Sequence, residues 1–269
     1  MKKIILLLLL LAVNYNSFAV SKEDKERESS YLLQIKNEND SDAMFDLGLL
    51  YDEQEKYDLA EKYYLMAVKY NNGSAMTNLG LIYENQKKYD LAEKYYLMAV
   101  EEESDTGMYN LGLLYDNQKK YTLAEKYYLM AIQNNYSDAM YNLALLYDNQ
   151  EKFSLAEKYY LMAIKENDSD AMYNLALIYD NQKKYPLAEK YYLMAVEAND
   201  SDSAFNLALL YDNQKKYNLA EKYYLIAVKD NSTKAMYNIG ILYKIQKKFS
   251  LTEKYYLMAA NYNNSAALY

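Results

Sequence analysis

Leu187-Ala188-Glu189-Lys190-Tyr191-Tyr192-Leu193-Met194-Ala195-Val196 is the stretch whose reading decides the fold. Nearly the same ten residues begin at Leu59, Leu91, Leu123, Leu155, Leu219 and Leu251, each start 32 residues after the last. A fixed period of this size, with no residue gained or lost between seven copies, marks a stacked array in which each unit buries its apolar face on its neighbours. One elongated all-α solenoid of helix-turn-helix repeats is therefore expected.

Working outward from that stretch, Leu175, Ile178 and Tyr179 recur at the i, i+3, i+4 spacing of one helical face, here called helix A. Asp180-Asn181-Gln182-Lys183-Lys184 breaks the pattern, and Leu187, Tyr191, Met194 and Ala195 resume it as helix B. In six copies a capping residue precedes the Leu and a glutamate follows three positions on, as in Asp58/Glu61, Asp90/Glu93, Thr122/Glu125, Ser154/Glu157, Asn218/Glu221 and Ser250/Glu253. That spacing predicts a capping box, in which the two side chains satisfy each other's backbone donors. Pro186 takes the position in the remaining copy, as a helix start tolerates. Gly48, Gly80, Gly112, Ala144, Ala176, Ala208 and Gly240 of helix A are expected to face Ala60 and its equivalents in helix B, with Thr252 the one departure.

Hydrophobic residues make up 52% of the 269, yet 36 of the chain's residues are tyrosines with a polar tip. One proline and six glycines leave little room for hairpins of strands or long linkers. The net charge of −8 opposes a polyanion, so nucleic acid is not expected as a partner. Histidine and cysteine are both absent, which removes disulfides, thiolate nucleophiles, imidazole bases and the common zinc and haem ligands. No cofactor and no metal is expected.

Met1-Lys2-Lys3 precedes an apolar run from Ile4 to Val13, and Ser17 and Ala19 place small side chains at −3 and −1 of a cleavage site. Residues 1–19 read as a cleavable signal peptide, because the run is far shorter than the roughly 20 residues a spanning helix needs. A periplasmic or secreted location follows, without stable membrane insertion once the signal is removed and, for want of a cysteine, without a lipid anchor. Residues 20–42 are expected to form a capping half-repeat helix, since Tyr31 to Asp42 echoes Tyr159 to Asp170. Residues 43–266 hold the seven repeats, and 267–269 begin an eighth helix A. A poorly covered last face would favour end-to-end self-association.

Leu175-Ala176-Leu177-Ile178-Tyr179, followed by Ala188, Tyr192 and Ala195, resembles the tetratricopeptide repeat and its Sel1-like relatives. The resemblance runs from Ala43 to Ala266 and implies a right-handed α-solenoid, although 32 residues is short for either family and the closing proline is missing. It also implies a concave surface lined by helix A. On this chain the groove positions would be Tyr109, Tyr141, Tyr173, Phe205 and Tyr237, beside Asn110, Asn142, Asn174, Asn206 and Asn238. Asp116, Asp148, Asp180 and Asp212 lie one to two turns further on. Amides can bond a peptide backbone, aromatic rings supply rigid area and carboxylates favour a basic ligand. The same rings could stack on sugars or simply pack between neighbours, and the asparagines could bond across adjacent helices.

An enzyme would need a unique constellation, and the breaks in symmetry do not supply one. Glu101-Glu102-Glu103 with Asp105 has no acid-base partner, and no loop has the Asp-x-Asp-x-Asp-Gly order of a calcium site. Asn-x-Ser/Thr triplets such as Asn167-Asp168-Ser169 recur at one junction and read as by-products of repetition. The expected function is an exported, non-enzymatic scaffold that binds a protein or peptide segment, with a cell-envelope glycan binder or a structural spacer as alternatives.

Overall fold

The computed structural model describes residues 21–266, and among them fifteen helices follow one another without a strand. The signal-peptide stretch and residues 267–269 lie outside the described residues. After α1 (Lys22–Glu38) come seven pairs. Their A helices are α2 (Ser41–Glu53), α4 (Gly73–Asn85), α6 (Asp105–Asn117), α8 (Asp138–Asn149), α10 (Ser169–Asn181), α12 (Ser201–Asn213) and α14 (Thr233–Ile245). Their B helices are α3 (Tyr57–Val68), α5 (Tyr89–Glu101), α7 (Tyr121–Gln133), α9 (Phe153–Lys165), α11 (Tyr185–Glu197), α13 (Tyr217–Lys229) and α15 (Phe249–Ala266). The chain divides into two compact units, residues 1–139 and 140–269.

Within unit 1, α1 packs on α2, and α2–α3, α4–α5 and α6–α7 pair closely; within unit 2, α10–α11, α12–α13 and α14–α15 do the same. Contacts also run from α4 to α6 and from α12 to α14, so successive A helices touch. The core of each pair mixes aliphatic and tyrosyl surface. In the α10–α11 pair Leu175, Ala176, Ile178 and Tyr179 are buried against Ala188, Tyr191, Tyr192 and Ala195.

The helix starts differ from the capping-box expectation. Helix B begins two residues earlier, at Tyr57 and its equivalents, with a lysine at the cap and no side-chain cap bond in α3, α5, α7, α9, α11 or α13. The glutamates serve the neighbouring repeat instead: Glu61, Glu93, Glu189 and Glu221 accept from the hydroxyls of Tyr83, Tyr115, Tyr211 and Tyr243 at 2.6–2.9 Å. Glu28 of α1 accepts from Tyr51 in the same way at 2.6 Å. A charged acceptor makes a stronger bond than a neutral one, and here it ties each repeat to the next. Side-chain caps belong to the A helices, where Asp40, Asn72, Ser104, Asp168, Asp200 and Ser232 accept from backbone N–H groups.

Gly48, Gly80, Gly112 and Gly240 do not face the alanines of helix B first. They seat the rings of Tyr64, Tyr96, Tyr128 and Tyr256; a Cβ on Gly112 would come within 2.6 Å of Tyr128 Cδ1. Leu187 also departs from the apolar stripe read in helix B, being 40% exposed, and so do Leu59, Leu91, Leu123, Leu155 and Leu219. Helical side chains lean toward the N-terminus, so a residue on the first turn of helix B leans out past the turn that joins the pair.

Both kinds of turn share one backbone solution. Lys183, at φ 60°, donates to the Asp180 carbonyl at 2.8 Å while Lys184 donates to that of Tyr179 at 2.8 Å. Asn167, at φ 64°, donates to the Ile164 carbonyl at 3.0 Å while Asp168 reaches that of Ala163 at 3.2 Å. This is the left-handed Schellman ending that absorbs orphan carbonyls. It explains the recurring Asn-Asp-Ser triplet: Asn167 tolerates the left-handed conformation and Asp168 caps the next helix, accepting from Ala171 N at 2.7 Å.

Candidate functional site

The residues expected to line a groove lie on the A helices as half-buried side chains, with Tyr237 the exposed exception at 56%. In unit 2 the rings of Tyr141, Tyr173 and Phe205 tilt over Tyr160, Tyr192 and Tyr224 of the paired B helices, centroids 6.1–6.4 Å apart. Tyr237 stacks on Tyr256 at 5.5 Å. In unit 1 Tyr109 is wedged between Tyr128 and Tyr136 at 6.2 and 5.0 Å. One side of each ring is thus taken by the protein itself.

The asparagines cross-link this stripe. Asn174 Nδ2 donates to Tyr141 Oη at 3.0 Å, and Asn206 Nδ2 donates to Tyr173 Oη at 3.2 Å. Asn110, Asn142 and Asn238 are half-buried in the same register. For Asn238 the preceding ring is Phe205, which has no hydroxyl to accept.

Asp116, Asp148, Asp180 and Asp212 end the A helices beside the fully buried second tyrosine of each B helix. Tyr224 Oη donates to Asp212 Oδ2 at 3.4 Å. The hydroxyls of Tyr160 and Tyr192 lie near Asp148 and Asp180 but form no hydrogen bond of standard geometry. Burial raises all four carboxyls above the usual aspartate range. It also drives up the tyrosines beneath them, Tyr128, Tyr160, Tyr192 and Tyr224, and more modestly their equivalent beside Asp52, Tyr64, which is pushed up to about 12.

The first residues of the doubled tyrosines are structural as well. Tyr179 and Tyr191 stack at 5.7 Å between the Lys184 and Lys190 ammonium groups, 5.6 and 4.8 Å from the ring centres.

Unit 1 holds a recess that the groove assignment did not include. A cleft of about 470 Å³ is lined by Asp52, Tyr57, Asn78, Leu81, Ile82, Asn85 and Gln86. Asn78, Leu81, Ile82 and Asn85 share one face of α4, and Leu81 is 39% exposed. Asn78 and Asp52 occupy the registers of Asn110 and Asp116, so the 32-residue period could have found them. Thr77, which replaces the tyrosine of this register and bonds Gly73 O at 3.0 Å, hid the correspondence. Among the described residues no cluster of three or more carboxylates could hold a metal ion.

Two family models described as tetratricopeptide repeat match the chain, one over residues 45–107 and 141–204, the other over 105–136 and 201–229. The chain belongs to the tetratricopeptide repeat family. A search of curated proteins finds no significant match. Among solved structures, this tetratricopeptide array is similar to c5321, a protective antigen of uropathogenic Escherichia coli with an SLR fold. That match has a TM-score of 0.68 at 17% identity, over 88% of this chain and 61% of the antigen, so the array spans less than two thirds of the antigen's length. A Sel1 repeat protein from Oxalobacter formigenes matches at 0.60 and 23% identity, over 80% of this chain and 96% of that one. The C-terminal part of a repeat protein from Cytophaga hutchinsonii matches at 0.65 and 20% identity, over 82% and 95%. These likenesses place the tetratricopeptide array with the Sel1-like α-solenoids in fold. Proteins of the family are generally interaction scaffolds.

Proposed function

We propose that the chain is an exported, non-enzymatic scaffold that binds a peptide or protein segment along the A-helix face. The observation that carries this reading is the cleft on α4. It brings the amides of Asn78, Asn85 and Gln86, the apolar surface of Leu81 and Ile82, and the Asp52 carboxylate to one recess. Amides can pair with an extended backbone, the apolar patch can seat a side chain, and the carboxylate favours a basic residue. A structure similar in fold, YrrB, is described as a tetratricopeptide protein with an unusual peptide-binding site; it matches at a TM-score of 0.50 and 18% identity, over 64% of this chain. Sugar stacking draws less support, because the ladder rings already have one side against tyrosines of the B helices.

Selection from a displayed peptide library against the full chain tests this reading. Basic peptides are expected, with affinity falling about tenfold or more in a variant carrying Leu81→Ser and Asn85→Ala. Selected peptides that bind this variant as well as the parent would refute it. Export rests on the pattern of Met1 to Ala19, and a mature chain recovered outside the cytoplasm is expected to begin at Val20.

A further inference from the structure

The two sets of turns form an internal control. At the B-to-A turns the left-handed residue is Asn39, Asn71, Asn135, Asn167, Asn199 or Asn231, with Glu103 the exception. At the A-to-B turns of unit 2 it is Glu151, then Lys183, Lys215 and Lys247, and a second lysine follows every one of them. Asparagine tolerates φ near 60° better than lysine, and a lysine at a helix start opposes the helix dipole without capping it. The second lysine of each pair lies over the last tyrosine of its A helix, as Lys184 does over Tyr179, Lys216 over Tyr211 and Lys248 over Tyr243. Neither backbone geometry nor helix stability calls for the first lysine, at the left-handed position.

The same edge exposes apolar surface. Phe153 and Tyr185 are each 41% exposed and Phe249 68%, while Leu187 and Leu219 are about 40% exposed on the same first turns of helix B. Lys215, Lys216, Tyr217 and Leu219 converge on one shallow recess. Nearby carboxylates do little to neutralise the row: Asp180 and Asp212 are half-buried against tyrosines, and only Lys248 pairs with one, Glu221 at 3.6 Å. The acidic B-to-A turns lie at the other ends of 13-residue helices, roughly 20 Å away. At physiological salt the screening length is about 8 Å, so the chain's overall negative charge is scarcely felt at this edge.

We propose that the A-to-B edge of unit 2 is a peripheral docking surface for an anionic lipid bilayer. The lysines meet the headgroups while the leucines and aromatic rings settle at the interface, where such rings are favoured. An acidic protein segment would satisfy the charges but leave the leucines without apolar partners. No helix among the described residues is long and apolar enough to cross a membrane, so the contact is superficial. This surface shares no residue with the α4 cleft, and either reading can fail alone.

The test is co-sedimentation of the full chain with phosphatidylglycerol-containing vesicles and with pure phosphatidylcholine vesicles. Retention on the anionic vesicles alone is expected at 0.15 M salt. The Lys183→Asn, Lys215→Asn, Lys247→Asn variant should lose affinity about a hundredfold, at roughly fivefold per lysine, with a melting temperature equal to or above the parent's. Leu187→Gln with Leu219→Gln should lose about tenfold. The proposal is overturned by failure to sediment, by equal retention on neutral vesicles, or by unchanged binding of the lysine variant. Capture on polyglutamate beads as strong as on vesicles, and indifferent to the leucine changes, would reassign the edge to acidic polymers and overturn it as well.

Discussion

Phe205 is the one ring in the unit 2 ladder before Asn238 that cannot accept a hydrogen bond, while Tyr141 and Tyr173 each accept from the asparagine of the following repeat. Phe205→Tyr should therefore stabilise the protein by about 0.5–1.5 kcal/mol, read as a higher denaturation midpoint in urea at unchanged slope. The companion is a loss at the seat of the B-helix tyrosine. Gly112→Val puts branched carbon where a single Cβ would already lie 2.6 Å from Tyr128 Cδ1, and should cost about 1–3 kcal/mol by overpacking. Gly112→Ala should cost much less, because Ala144, Ala176 and Ala208 occupy the same register beside rings that remain fully buried.

Helix starts separate the two roles that an acidic or hydroxyl residue can play. Ser154 precedes Leu155 as a capping residue would, yet α9 has no side-chain cap; Ser154→Ala should change stability by only a few tenths of a kcal/mol. Asp168 caps α10, and Asp168→Ala should cost about 1 kcal/mol. Thermal melts of the two variants side by side distinguish them, and equal losses would restore the capping box. Glu189 belongs to the second role, holding Tyr211 of the next A helix at 2.8 Å. A double-mutant cycle on Glu189→Gln and Tyr211→Phe should give a coupling of about 0.5–2 kcal/mol, and no coupling would remove this tie between repeats.

The whole array responds to pH through its tyrosines. Tyr64, Tyr96, Tyr128, Tyr160, Tyr192 and Tyr224 are fully buried, and burial holds their folded pKa values above the ordinary value near 10. A raised folded pKa means that the stabilisation is complete below pH 10 and is lost as the pH climbs toward the folded value. Each such tyrosine should cost about 1.4 kcal/mol per pH unit over that window, so circular dichroism should show cooperative alkaline unfolding steeper than for a protein with exposed tyrosines. The raised carboxyls of Asp148 and Asp180 follow the same sign at acid pH, being favoured when protonated and costing stability once ionised. Asp180→Asn should raise the melting temperature at pH 7, with the gain shrinking as the pH falls toward about 4 and gone below it.

The 32-residue period, the A and B stripes and the small residues between them were enough to specify the helix pairs, because a stacked repeat repeats its burial pattern in the sequence. The doubled tyrosines likewise announced a tyrosyl core. The partners of polar groups were not legible. The spacing of Ser154 and Glu157 suits a capping box, but a glutamate can also reach a tyrosine 22 residues further on, as Glu189 does, and only the stacking of helices brings that hydroxyl within 2.8 Å. Leu187 looked like core by periodicity and is exposed, because the stripe says which face a residue takes and not whether the paired helix extends far enough to cover it. The α4 cleft was hidden for a related reason: its walls come from the end of one A helix, the start of a B helix and the face of the next A helix, segments whose proximity is set by packing between repeats.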